Sequence, residues 1–257
     1  MRIVPIAAAL TIVALPVFAA GLDDPSLQGA SRYDRCLSLA RSDANRAYSE
    51  ATKWEVSGGG AAATHCAAMA LVQLRRYTEA ATKLDTLARG AAGNSAAQRS
   101  MLFGQAGNAW LLAGNSANAE AALNAALALT PNDADLLTDR ARARGMRKDW
   151  KGAEADLSSI LSRDPNRADL YVLRASARHA LGRKNEARAD LESALKVVTN
   201  YPDALVERGE MKAEAGDTEG AKADWNKVIA SAPGSAAARS AKADLDQLAA
   251  PAPSPGK

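Results

Sequence analysis

The sequence predicts an all-α fold built as a stack of repeated helix pairs. Three observations predict it. The pattern "GAEADL" at 152–157 returns as "EARADL" at 186–191 and "GAKADW" at 220–225, so one motif recurs every 34 residues. A fixed period of this size marks repeat architectures. Ala, Leu, Arg, Glu and Lys dominate, all good helix formers, while runs that alternate apolar and polar residues in the manner of strands are absent. Gly residues fall between the apolar segments of each period and Pro residues near its end, the punctuation of helix, turn, helix, stop.

Taken in chain order, residues 1–19 read as a secretory signal peptide. Arg2 precedes the uncharged apolar run "IVPIAAALTIVALPVFAA", whose small residues offer cleavage after Ala19 or Gly21. No Cys follows, so the segment does not have the layout of a lipoprotein signal. Retention as a membrane anchor is the competing reading. Residues 20–33 are expected to be a flexible linker and residues 34–60 an N-terminal helical cap, with helices over "YDRCLSLA" and "DANRAYSEATKWE". The chain has two cysteines, Cys36 in that cap and Cys66 in "THCAAMAL". In an oxidising compartment such a pair is expected to be bridged, fastening the cap to the helices that follow. A metal site from Cys36, His65 and Cys66 has too few ligands and no ligand-type spacing.

A loose first repeat is expected at 61–94, with Ala68 and Ala80 in its small places and Leu84 and Leu87 in its apolar ones. The surplus "GAAGNSAAQ" separates it from four units in perfect register, 100–133, 134–167, 168–201 and 202–235. Each unit carries a small residue in its first helix (Gly107, Ala141, Ala175, Gly209) and another in its second (Ala119, Ala153, Ala187, Ala221), where two antiparallel helices can approach closely. Gly114, Gly145 or Gly182, and Gly216 are assigned to the turns, and Pro131, Pro165 and Pro233 to the stops. Residues 236–250 are expected to form a capping helix that uses Ala241, Leu245 and Leu248. The tail 251–257, "PAPSPGK", is expected to be disordered.

Charge narrows the function. With 32 basic and 29 acidic residues, net +3, the chain lacks the clustered basic footprint of a nucleic-acid binder. Its two histidines, His65 and His179, stand in no nucleophile-and-base arrangement. "SGGGAAA" at 57–63 follows no strand and lacks the Lys-Ser/Thr ending of a phosphate loop. No enzyme, cofactor or metal is therefore expected. A second ladder runs through the repeats: Arg140, Arg174 and Arg208, then Arg144, Arg178 and Lys212, against Asp156, Asp190 and Asp224. It is read either as a basic stripe for an acidic ligand or as ion pairs between packed helices. Cation and anion recurring together favour the pairs.

The spacing and the small residues resemble the tetratricopeptide repeat family over residues 100–235, and more loosely over 61–94. The departures are Arg144, Arg178 and Lys212 where the family places a mid-helix tyrosine, and Thr199 where it places a closing proline. The resemblance implies a right-handed superhelical solenoid whose first helices line a concave groove for an extended or helical peptide. Its groove-facing places hold Asn108, Asp135, Thr138, Arg142, Asp169, Ser176, His179, Asp203, Glu207, Glu210 and Glu214. Asn108 and Arg142 match donors that clamp a C-terminal carboxylate in some members. The lysine of such clamps is missing at Gly104, Thr138, Val172 and Val206, so a complete clamp is not expected. The acidic end, near Glu210, implies a partner protein or peptide with a basic stretch. The expected function is a periplasmic scaffold or adaptor. The alternative is a membrane-tethered structural subunit with an empty groove, which requires the apolar N-terminal segment to stay uncleaved.

Overall fold

A computed structural model of the chain describes residues 30–90 and 95–249. The expected signal peptide, most of the linker and the tail lie outside the described residues. Among the described residues there are thirteen α-helices and no strand. None of these helices is long and apolar enough to cross a membrane. The described residues divide into two compact units at Lys148 and Asp149.

The first unit contains α1 (Ala30–Ser42), α2 (Ala44–Val56), α3 (Gly60–Gln73), α4 (Tyr77–Gly90), α5 (Ala96–Leu112), α6 (Ser116–Leu129) and α7 (Ala134–Met146). Consecutive helices from α2 to α7 pack on one another, and α1 packs on both α2 and α3. The helix α1 begins at Ala30, so the last residues of the expected linker are helical. The expected cap is a helix pair joined at Asp43, whose carboxylate accepts from Arg46 N at 3.0 Å and caps α2. Ser95 and Gln98 form a reciprocal capping box that starts α5. Where α5 crosses α6, a Cβ on Gly107 would lie 2.6 Å from Leu123 Cγ, so only glycine permits this approach.

The second unit contains α8 (Trp150–Leu161), α9 (Ala168–Ala180), α10 (Lys184–Val197), α11 (Pro202–Glu214), α12 (Thr218–Ser231) and α13 (Ala236–Ala249). Ala168, Val172 and Ala175 of α9 meet Ala187, Leu191 and Ala194 of α10, and Ala204 and Met211 of α11 close the same core. A second core joins Leu205, Val206, Ala221, Trp225 and Val228 to Ala238 and Ala241 of α13, with Leu245 and Leu248 packed against it. The capping helix thus uses the three residues expected of it. Gly209 faces the Trp225 indole, whose Nε1 donates to Val206 O at 3.2 Å.

Turn glycines Gly114, Gly182 and Gly216 have φ of 74°, 77° and 86°, in the left-handed region that favours glycine. The reading of Gly145 as a turn residue is corrected: Gly145 is inside α7, and Lys148 takes the left-handed position with φ 64°. Where Thr199 replaces the stop, Asn200 does the same with φ 67°, a conformation Asn tolerates better than most side chains.

The charge ladder is structural in the second unit. Arg174 Nη2 and Nε donate to Asp190 at 2.7 and 3.0 Å, and Arg178 Nη1 adds a third bond at 2.8 Å. Arg208 grips Asp224 at 2.7 and 2.8 Å, with Lys212 at 2.8 Å. Asp190 and Asp224 are buried, and each carboxylate is gripped between the two helices of its repeat by cations on the first.

Candidate functional site

The residues assigned to the groove fall into two sets. In the first unit, Asn108 lies on α5 and Asp135, Thr138 and Arg142 on α7. Thr138 is buried and its Oγ1 donates to Ala134 O at 2.7 Å, so its hydroxyl is committed to its own helix. Arg142 Nη1 donates to Asp139 Oδ1 at 2.8 Å. Burial raises the Asp139 carboxyl, and the Arg142 guanidinium and an Asn108 hydrogen bond offset part of that rise. The two residues matched to a carboxylate clamp are thus engaged with a carboxylate of this chain. Sequence reading missed Asp139, which carries no repeat signal.

The second unit brings its predicted residues together. On α11, Asp203, Glu207, Glu210 and Glu214 are spaced four, three and four apart and share one stripe. Ser176 Oγ of α9 donates to Glu207 Oε1 at 2.6 Å, and His179 Nε2 lies 3.0 Å from Glu214 Oε2. Lys184 Nζ donates to the same oxygen at 3.1 Å. Asp169 is held by Arg167 at 2.8 and 3.0 Å.

Electrostatics differ along the stripe. Glu210 is pushed up to about 8, first by burial and then by Glu207, Asp244 and Glu214. Burial raises Glu207, with the Ser176 hydrogen bond and the His179 charge opposing it. Burial also raises Asp203, against a hydrogen bond from Tyr201. Glu214 goes the other way: burial pushes it up, but Lys184 and His179 outweigh that and hold it low. Asp244 of α13 is raised by burial, and its Oδ2 is buried without a hydrogen bond. Among the described residues no lysine or arginine pairs with Glu207, Glu210 or Asp244, and His179 offsets only Glu207. Asp244 and Lys184 were not among the sequence candidates. The one sits in the capping helix and the other beyond the turn, so neither occupies a groove-facing place of a repeat.

The cysteines are joined. Cys36 of α1 and Cys66 of α3 form a disulfide with their Cα atoms 6.1 Å apart. Beside it, Tyr33 OH is 2.6 Å from His65 Nδ1, and His65 Nε2 is 2.7 Å from Gln105 Oε1. An amide oxygen only accepts, so Nε2 carries the proton and Tyr33 donates to Nδ1. Burial lowers the His65 pKa and raises that of Tyr33 to about 12.

Comparison with known proteins yields matches to two models of the tetratricopeptide repeat, over residues 168–197 and 203–235. No curated protein matches the chain. Among solved structures, a tetratricopeptide repeat protein from Parabacteroides merdae is similar, with TM-score 0.60 and 17% identity over 86% of this chain and 87% of that one. YrrB, a TPR protein with an unusual peptide-binding site, gives TM-score 0.59 and 19% identity over 72% and 94%. MamA from Desulfovibrio magneticus gives 0.58 and 18% over 66% and 93%. At these identities the likeness is one of fold.

Proposed function

Since residues 168–197 and 203–235 are tetratricopeptide repeats in an all-α repeat solenoid, we propose that this protein is a non-catalytic scaffold that binds a basic segment of a partner polypeptide. The segment lies along the acidic face of α11, flanked by Ser176 and His179 of α9 and Asp244 of α13. One observation carries the reading: Glu207, Glu210 and Asp244 form a half-buried carboxylate group that no lysine or arginine among the described residues pairs with, His179 offsetting only Glu207, whereas Asp190 and Asp224 of the ladder are each gripped by an arginine. A lysine or arginine laid there supplies the missing counter-charge. It also displaces the proton that burial keeps on Glu210, because a cation favours the ionised carboxylate. Charge complementarity of this kind sets partner choice and association rate more than raw affinity.

The site of action in this reading is the periplasm. Support comes from the signal-like residues 1–19 and from a disulfide between buried cysteines, a bond that persists in oxidising compartments. N-terminal sequencing of the protein from a periplasmic fraction tests it. A new N-terminus at Ala20 or Leu22 is the expected result; an intact Met1 in the membrane fraction would favour the tethered alternative.

The binding reading is tested by titrating an extended Lys/Ala peptide into the full chain and into Glu210→Lys. Charge reversal is expected to weaken binding by about tenfold or more, the scale of losing one partly desolvated charge contact. Equal affinity of the two proteins would refute it.

A further inference from the structure

We propose that α1 is a redox-released cover: the Cys36–Cys66 bond latches it onto α3, and reduction of that bond frees α1 while α2 and the helices after it stay folded. The inference concerns the opposite end of the chain from the peptide face and stands whether or not that face binds a peptide.

The seat of α1 is thin. Of its described residues only Cys36 and Ala40 are buried, with Tyr33, Leu37 and Leu39 partly covered. By contrast α3 buries seven residues. Among the described residues α1 is also tied by the Tyr33 hydrogen bond to His65 and by the Arg32 guanidinium 4.6 Å from the Trp54 ring. Each is of the modest, single-contact kind. A helix of 13 residues is marginal alone in water, so α1 depends on its docking to stay helical. The disulfide supplies that docking by closing a chain separation of 30 residues.

The neighbours of α1 have ties that do not pass through it. The Asp43 carboxylate caps α2 from within the joint. Ala47 and Ala51 of α2 pack with Ala40 and Cys36 of α1, but they also pack on Ala70, Cys66 and Ala67 of α3, which hold them when α1 leaves. Lys83 of α4 also reaches back to Glu55 of α2 at 3.0 and 3.2 Å. A hinge at Ser42–Asp43 therefore separates a weakly seated helix from a firmly seated one. When α1 departs it uncovers His65, Cys66, Ala67 and Ala70 on the flank of α3, all of them buried beneath it or beside it in the latched state.

The chemistry is thiol–disulfide exchange with a dithiol reductant. Cys36 is the more exposed cysteine, so the reductant's thiolate attacks its Sγ. The S–S bond breaks, Cys66 leaves as a thiolate and takes up a proton, and Cys36 is held as a mixed disulfide. The reductant's second thiol then displaces Cys36, which also ends as a thiol, and the reductant leaves as its own disulfide. Two electrons pass from the dithiol to the protein, and reoxidation by any disulfide oxidant reverses the step.

Amide hydrogen exchange on the full chain, with and without dithiothreitol, tests the latch. Reduction is expected to speed exchange over residues 32–42 by on the order of 100-fold, the scale of losing one loop closure, while α2 to α6 keep their protection. The His65 imidazole, one of two in the chain, is expected to titrate nearer its ordinary value after reduction, because water replaces Tyr33. A Cys36→Ser, Cys66→Ser double variant should behave as the reduced protein in the absence of reductant. Unchanged exchange over α1 on reduction would overturn the proposal, and so would simultaneous loss of protection across α1 to α6.

Discussion

At the scale of single residues, the same side-chain type is put to opposite uses. Asp190 is buried beneath three donors from two arginines, and these bonds are part of the repeat's packing. Removing it would leave Arg174 and Arg178 without their shared acceptor. Asp190→Ala is expected to cost about 3–5 kcal/mol, read as a lowered midpoint in thermal or denaturant unfolding. Glu210, 20 residues on, has burial and like charges but no donor, and it sits at about 8 against an ordinary 4.5. The folded state therefore holds a proton that the unfolded chain releases. The contribution of Glu210 to stability is full below about 4.5 and is lost as pH rises through about 8. Glu210→Gln should raise Tm above about pH 8 by several degrees and leave it nearly unchanged in acid. Thermal scans across that range check it. The sequence placed both residues and favoured Asp190 as the partner of the ladder arginines, as found, but it did not show that Glu210 lacks a donor. That depends on which side chain of a neighbouring helix reaches it, as Asp139 shows by occupying Arg142.

At the scale of elements, small residues and turns carry the legible information. The period located Gly107 and Gly209 at helix crossings, and both are places where a Cβ meets the facing Leu123 or Trp225. Gly209→Ala is expected to destabilise the α11–α12 pair by about 1–3 kcal/mol through overpacking, measurable as a shift in denaturant midpoint with an unchanged slope. Three turns were illegible because Arg75, Lys148 and Asn200 accept a left-handed backbone without the glycine that announces one. The helix α1 was legible in outline only. Its 13 residues begin at Ala30 and bury too little apolar surface to give a strong helical period, so its start was misjudged and its dependence on the disulfide was hidden until its contacts were visible.

At the scale of the whole molecule, the chain is an all-α repeat solenoid whose described residues divide into two units at Lys148 and Asp149. That division falls within the repeat assigned to 134–167, where the 34-residue period gives no warning of it. The first unit uses its groove-type donors on its own carboxylate and carries the disulfide; the second carries Glu210 and Asp244, acidic groups that no lysine or arginine among the described residues pairs with. Binding is accordingly expected to concentrate on the second unit. It should strengthen as pH rises toward about 8, because the cation competes with the proton on Glu210. The most direct measurement is amide hydrogen exchange of the full chain with a saturating Lys/Ala peptide, beside a matched Gln/Ala peptide. Added protection across α9, α11 and α13 with the cationic peptide alone is the predicted result. Equal protection by the neutral peptide, or protection confined to other helices, would contradict the account.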